Sequence, residues 1–184
     1  QKSSVDNLIH KFISSDNGIT WVSTTDTISA PFTENLWNMF ELSNGRLMAT
    51  DDYGKRGIMY SDDNGVTWAA IQPEPTGDES SWYEAEYFVL EVEQDKLIAI
   101  GRMAGDQGKE PAVITFSNDN GNTWSKLKYS TSITDMSSSC CTGLVHDGIV
   151  ELFVCSRWYG GTEANTNTNK FGAIYHFSAT IENA

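Results

Sequence analysis

Basic residues are scarce in this chain. Twelve Lys and Arg stand against 25 Asp and Glu, giving a net charge of −13. General nucleic-acid binding is disfavoured, because phosphate contacts need clustered Lys and Arg. Long apolar runs are missing too: Phe88-Val89-Leu90 and residues 97–100 are only strand-length, so no membrane insertion is expected. No charged leader followed by a long apolar stretch is visible, so no signal peptide is expected within these residues. Cysteine is limited to Cys140, Cys141 and Cys155. An odd number makes no disulfide framework, and no Cys/His spacing suggests zinc. With Asp147-Gly148 as a two-residue hairpin turn, Cys140 falls roughly across from Cys155, and buried free thiols are expected. The many asparagines contain no Asn-x-Ser/Thr sequon, which disfavours a eukaryotic secreted protein. Helical patterning is sparse, since Gly and Asn interrupt every long apolar pattern. Neither a metal nor a cofactor is expected.

What the chain does have is one pattern three times over, Ser-x-Asp-x-Gly-x-Thr-Trp. It runs from Ser14 through Asp16 and Gly18 to Trp21, from Ser61 through Asp63 and Gly65 to Trp68, and from Ser117 through Asp119 and Gly121 to Trp124. Asn-Gly in the middle of each copy suits the positive φ values of a hairpin turn, and the Asp can accept backbone N–H groups across the bend. The Ser and Thr hydroxyls can bond the loop's own backbone groups, and Trp starts the next strand as an apolar anchor. A calcium loop is the competing reading. It needs further oxygen ligands, a closing Glu and flanking helices, whereas strands flank these copies. The structural reading is the stronger.

Between the copies a strand plan repeats. Residues 36–42, 46–50, 57–60 and 68–71 read as four strands, with a turn at Asn44-Gly45. The plan recurs over 86–92, 96–102, 112–116 and 124–129, then over 140–145, 149–157 and 172–177, where no copy of the motif follows. Residues 8–13 and 21–24 supply an opening pair. Four short antiparallel strands per roughly fifty residues is the blade plan of a β-propeller. The chain therefore reads as one all-β domain over 1–184, with blades near 1–25, 34–72, 82–129 and 137–184, the first and last partial. Propellers close with about four to eight blades, so the chain reads as a segment of a longer protein, the alternative being a ring completed by other chains.

The repeated motif is the Asp-box, and the chain resembles the sialidase (neuraminidase) superfamily of Asp-box, or BNR-repeat, β-propellers. The resemblance covers nearly the whole chain and implies six blades, with the boxes on the outer rim and the active centre elsewhere. Using the boxes to set blades in register aligns Leu47 to Asp52 with Leu97 to Arg102 and with Leu152 to Arg157. Reading these second strands as the inner ones, Arg102 and Arg157 point towards one central cavity. Glu86, opening the first strand of its blade, lies nearest across the hairpin from Arg102. Leu36 and Cys141 are its expected counterparts in the other blades.

Sialidase-like proteins carry a Glu opening a blade's first strand, an Arg ending its second, and another Arg in the next blade. The resemblance thus implies that Arg102 and Arg157 bind a sialic acid carboxylate, for which planar guanidinium groups offer paired donors. It implies that Glu86 is the catalytic carboxylate, acting as a base or orienting a nucleophile. In exo-acting members a third Arg, a nucleophilic Tyr and an acid Asp complete the site; these belong to blades this chain does not clearly contain. Phage tailspike endosialidases also keep a Glu and two Arg, so exo and endo action both stand. Asp52, Tyr53, Trp82, Tyr83 and Trp158, with Tyr159, sit at or beside the strand ends, where sugar contact and rim packing explain them equally.

Two rivals concern the site itself. The arginines could pair with Asp106 and Glu163 on the rim, and Glu84 could be the inward carboxylate instead of Glu86. Two concern function: a non-catalytic glycan-binding propeller on a cell surface or virion tail, and a structural scaffold. The expected partner is a sialylated glycan or other carbohydrate, and the expected place is extracellular, cell-surface or virion-associated.

Overall fold

The computed structural model describes residues 9–28, 35–52, 57–71, 86–102, 112–130, 141–156 and 173–181. These residues form thirteen strands and no helix. Strands β1 (Ile9–Ile13) and β2 (Val22–Ile28) form a two-stranded sheet. Strands β3 (Asn35–Glu41), β4 (Leu47–Asp52), β5 (Ile58–Ser61) and β6 (Ala69–Ile71) form a four-stranded one. So do β7 (Glu86–Glu93), β8 (Lys96–Arg102), β9 (Val113–Ser117) and β10 (Lys128–Tyr129). The last sheet holds β11 (Cys141–His146), β12 (Ile149–Ser156) and β13 (Ala173–Thr180). Within each sheet the strands follow sequence order, and every neighbouring pair is antiparallel.

Every expected strand is present, with ends shifted by a few residues. Strand β2 runs four residues longer than expected, and β10 is only two residues long where 124–129 is expected. Phe116 N donates to the Ser125 hydroxyl at 3.0 Å instead of to a backbone carbonyl. The Thr115 hydroxyl donates to the Ser125 carbonyl at 2.7 Å. Side chains thus stand in for ladder partners and postpone the fourth strand.

The three boxes are near-identical. In the first, Gly18 N donates to Ser14 Oγ at 2.8 Å and Thr20 N to Asp16 Oδ1 at 2.8 Å. The Ser14 hydroxyl donates to Oδ1 of Asp16 and the Thr20 hydroxyl to Oδ2, at 2.8 and 2.6 Å. The indole N–H of Trp21 closes the loop onto the Gly18 carbonyl at 3.1 Å. Asn17 and Gly18 take φ of 58° and 85°, the left-handed pair that the sequence predicts. The bonds recur around Asp63 and Asp119. Threonine donates to the Asp carboxylate, not to backbone as first read. Above all, the side-chain hydrogen bond from Thr20 holds the Asp16 carboxyl down at about 2, and that from Thr67 does the same for Asp63. At Asp119 burial works upward, but the Thr123 bonds and their companions outweigh it and the carboxyl is again lowered.

Asp147 and Gly148 form the expected two-residue turn, with φ of 50° and 73° between paired His146 and Ile149. Cys141 is partly buried and pairs with Val154 in the ladder. Cys140 lies outside the described residues.

The sheet β7–β10 is the middle layer. One face buries Tyr87, Val89, Leu97, Ala99 and Val113 against Met48 and Ile58 of the preceding sheet. The other buries Ile100 and Ala112 against Leu152 and Val154 of the following one. This two-sided burial follows from alternate side chains pointing to opposite faces. Strand β7 packs against both β4 and β11. It thus meets the second strand of the preceding sheet and the first strand of the following one, and the boxes lie between third and fourth strands.

Polar ties lock the first of these two seams. Arg46 reaches Asp62 of its own sheet's box through Nε at 2.7 Å and Nη2 at 2.9 Å. Its Nη1 donates to the Asn120 carbonyl and Asn122 Oδ1 of the next box, at 2.8 and 2.9 Å. The guanidinium lies 4.3 Å above the Tyr60 ring. Nearby, Glu91 accepts from both the N–H and the hydroxyl of Ser43, at 2.8 and 2.7 Å.

Candidate functional site

Glu86 opens β7, Arg102 ends β8, and the two are direct cross-strand partners. Nε of Arg102 lies 3.0 Å from Oε2 of Glu86. Glu86 is 3% exposed and Arg102 8%. Pairing is what makes such burial tolerable, since an isolated charge in this setting would cost several kcal/mol on the order-of-magnitude scale for ions in proteins. By strand alternation both side chains share the face of Ile98 and Ile100, turned towards the last sheet. Arg102 therefore pairs across its own hairpin. Asp106 and Glu163, the rim alternatives, lie outside the described residues, as does Glu84.

The opposite face of the same hairpin end is held by a feature the sequence reading passed over. Tyr87 pairs with Gly101, and a Cβ on Gly101 would fall 2.8 Å from two carbons of the Tyr87 ring. Only glycine lets the ring lie across the strand, next to both members of the ion pair. Burial pushes the Tyr87 hydroxyl well above the usual phenol range. The available signal was a lone Gly inside a strand pattern, which marks a close approach.

The counterparts of Glu86 differ from those expected. Asp52 pairs with Asn35, one residue before the expected Leu36, because a bulge between Leu36 and Asn38 inserts one residue. Cys141 faces Val154, three positions short of Arg157, so it is not a counterpart either. A carboxylate across from the second strand's end is thus absent from the β3–β4 hairpin. Arg157, Tyr53, Trp82, Tyr83, Trp158 and Tyr159 lie outside the described residues. The structure brings together Glu86 and Arg102 and places Asp52 at the equivalent strand end one sheet away.

A second polar cluster was not foreseen. On the outward face of the last sheet, Glu151 meets His176 Nε2, with His146 Nε2 at 3.5 Å and the Ser178 hydroxyl at 3.3 Å. The His176 ring stacks on Phe153 at 4.8 Å between centroids. The hydrogen bond with His176 leads in holding the Glu151 carboxyl below its usual range. Cross-strand pairing, not sequence spacing, unites the two histidines.

Residues 1–167 match the family model of the BNR repeat-like domain. Among the curated proteins there is no match. Among solved structures, the chain is similar to a mutant of the NanB sialidase from Streptococcus pneumoniae: 20% identity and a TM-score of 0.63 over 92% of this chain and 26% of that one. It is similar to the intramolecular trans-sialidase from Ruminococcus gnavus, with 19% identity and a TM-score of 0.52 over 93% of this chain and 40% of the other. A Dyadobacter fermentans protein of unknown function shares 23% identity and a TM-score of 0.54 over 81% of this chain and 44% of its own. At these identities the likeness is one of fold. The chain spans between a quarter and a half of the length of these structures.

Proposed function

Since the chain belongs to the BNR repeat-like domain family within the sialidase superfamily, we propose that it is part of a sialidase-like glycoside hydrolase acting on sialic acid glycosides. On this reading residues 1–184 form one partial propeller domain. Arg102 and Arg157 bind the substrate carboxylate, and Glu86 is the catalytic carboxylate. The observation that carries the proposal is the buried Glu86–Arg102 pair at the open end of the β7–β8 hairpin. The equivalent hairpin of the preceding sheet has Asn35 opposite Asp52, so the pair is not a repeat feature. A planar guanidinium can serve more than one carboxylate at a time, which suits Arg102 to hold Glu86 and an anionic sugar together. Glu86 would then act as a base, or orient and deprotonate a nucleophile from another blade. Asp52, Tyr53, Trp82, Tyr83 and Trp158 would contact the glycan around this centre.

A second reading is favoured by one observation, the net charge of −13. It is a poor field for an anionic substrate beyond the immediate pocket, and it suits a glycan-binding propeller that does no chemistry. The test is incubation of the full-length protein with a fluorogenic sialoside and with polysialic acid. Release of fluorophore indicates an exo enzyme, and shortening of the polymer an endo enzyme. Binding without either supports the second reading, and inertness towards both overturns the two together.

A further inference from the structure

Glu86 and Arg102 form the last described rung of the β7–β8 ladder, and the end of a ladder is where pairing opens most readily. The rung before it, Tyr87 opposite Gly101, puts a glycine inside a strand, which on its own weakens the pairing further. The Tyr87 ring offsets that weakness. A Cβ on Gly101 would fall 2.8 Å from Cδ1 and Cε1 of the ring, so the ring lies over the glycine, as in an aromatic rescue. Its other edge faces the preceding sheet, where a Cβ on Gly57 would lie 3.5 Å from Cε2. Two glycines in two sheets leave room for one ring, which is 3% exposed and packs with Met48 and Ile58.

Phe88 does the converse on the other face. A Cβ on Gly143 of β11 would lie 3.5 Å from its Cε1, and would also meet the Glu151 carbonyl at 2.7 Å. Consecutive aromatic residues therefore pin the start of β7 to both neighbouring sheets, directly after Glu86. In the β3–β4 hairpin the equivalent rung is Leu36 opposite Asp51, so the ring-on-glycine rung is no more a repeat feature than the ion pair beside it. We propose that Tyr87 is a positioning residue: wedged between Gly57 and Gly101, its ring sets where the Glu86 carboxylate and the Arg102 guanidinium stand. The catalytic consequence rests on the sialidase reading above; the fixing of the pair does not. A guanidinium is a rigid fork, so a shift of its strand end changes what it can reach. A misplacement of about 1 Å can cost a hundredfold in rate.

The test uses the intact protein with 15N-labelled arginine. The Arg102 Nε–H signal is identified by its absence from Arg102→Met. In Tyr87→Leu its hydrogen exchange should quicken by about tenfold or more, as when a rung opens more often. Tyr87→Phe keeps the ring and should leave the exchange unchanged. Val89→Ala, which opens a cavity in the same cluster, should lower the melting temperature without quickening it. Gly101→Ala crowds the ring; it should act like Tyr87→Leu in the parent and have little effect in a Tyr87→Leu background. On a sialoside, kcat should follow the same order, falling about tenfold or more in Tyr87→Leu with a smaller change in KM. An Arg102 signal indifferent to Tyr87→Leu and Gly101→Ala overturns the inference, as does one that Tyr87→Phe or Val89→Ala quickens equally. A parent without turnover overturns the sialidase reading instead, and the exchange measurement still decides this one.

Discussion

Glu86 and Arg102 hold each other across the β7–β8 hairpin at 3.0 Å, both shut away from solvent. Removing one partner leaves the other charge buried and uncompensated. Arg102→Met is therefore expected to destabilise the fold by about 3–5 kcal/mol, measured by urea unfolding. The double variant Glu86→Leu/Arg102→Met should lie closer to the parent than either single variant. A double variant as unstable as the sum of the singles would show that the two charges are not energetically coupled.

For activity, the decisive residue is Arg157. In the intact protein Arg157→Ala is expected to cut kcat/KM on a sialoside by roughly two orders of magnitude or more, as loss of a charge-stabilising donor does. Unchanged turnover would remove Arg157 from the site and leave Arg102 without its proposed partner.

The boxes make stability depend on acid in a definite direction. Hydrogen bonds from threonine lower Asp16 and Asp63 from 3.8 to about 2. A group depressed in the folded state contributes fully above its unfolded value and loses that contribution as pH falls through the folded one. Thermal stability should thus be insensitive to these groups above about pH 4, fall between about pH 4 and 2, and level off below. Asp63→Asn should flatten that slope. A variant with the parent's acid profile would show that the carboxylate bonds contribute nothing.

Arg46 ties two boxes together across the first seam. Arg46→Ala is expected to cost about 1.5–3 kcal/mol, the range for hydrogen bonds to a charged group. The share from exposed Asp62 is the smaller part, since solvent screens that pair. Arg46→Lys should recover little, because an ammonium cannot reproduce the two-sided fork or the stacking on Tyr60. Equal melting temperatures for Arg46→Lys and the parent would count against the fork.

The strand plan was legible because it rests on local chemistry: Asn-Gly and Asp-Gly turns, apolar alternation, and a motif that closes on itself. Glu86 does face Arg102, but the short turn alone would put Tyr87 there; a bulge between Glu91 and Glu93 supplies the one-residue shift. The bulge before Asn38 was not legible either, and it moved the counterpart from Leu36 to Asn35. The Tyr87–Gly101 contact and the Glu151–His146–His176 cluster are cross-strand associations, invisible until strands are paired.

The hydrogen bonds that close the box run between its own Ser, Asp, Gly, Thr and Trp. That self-sufficiency makes it dispensable. Where β13 simply runs on, the sheet keeps its ladder with β12 through eight consecutive pairs. A part that can be deleted without orphaning its neighbours drifts in number more freely than the scaffold that bears it. Motif copies therefore set a lower bound on blades, and a relative with fewer boxes need not have a smaller ring.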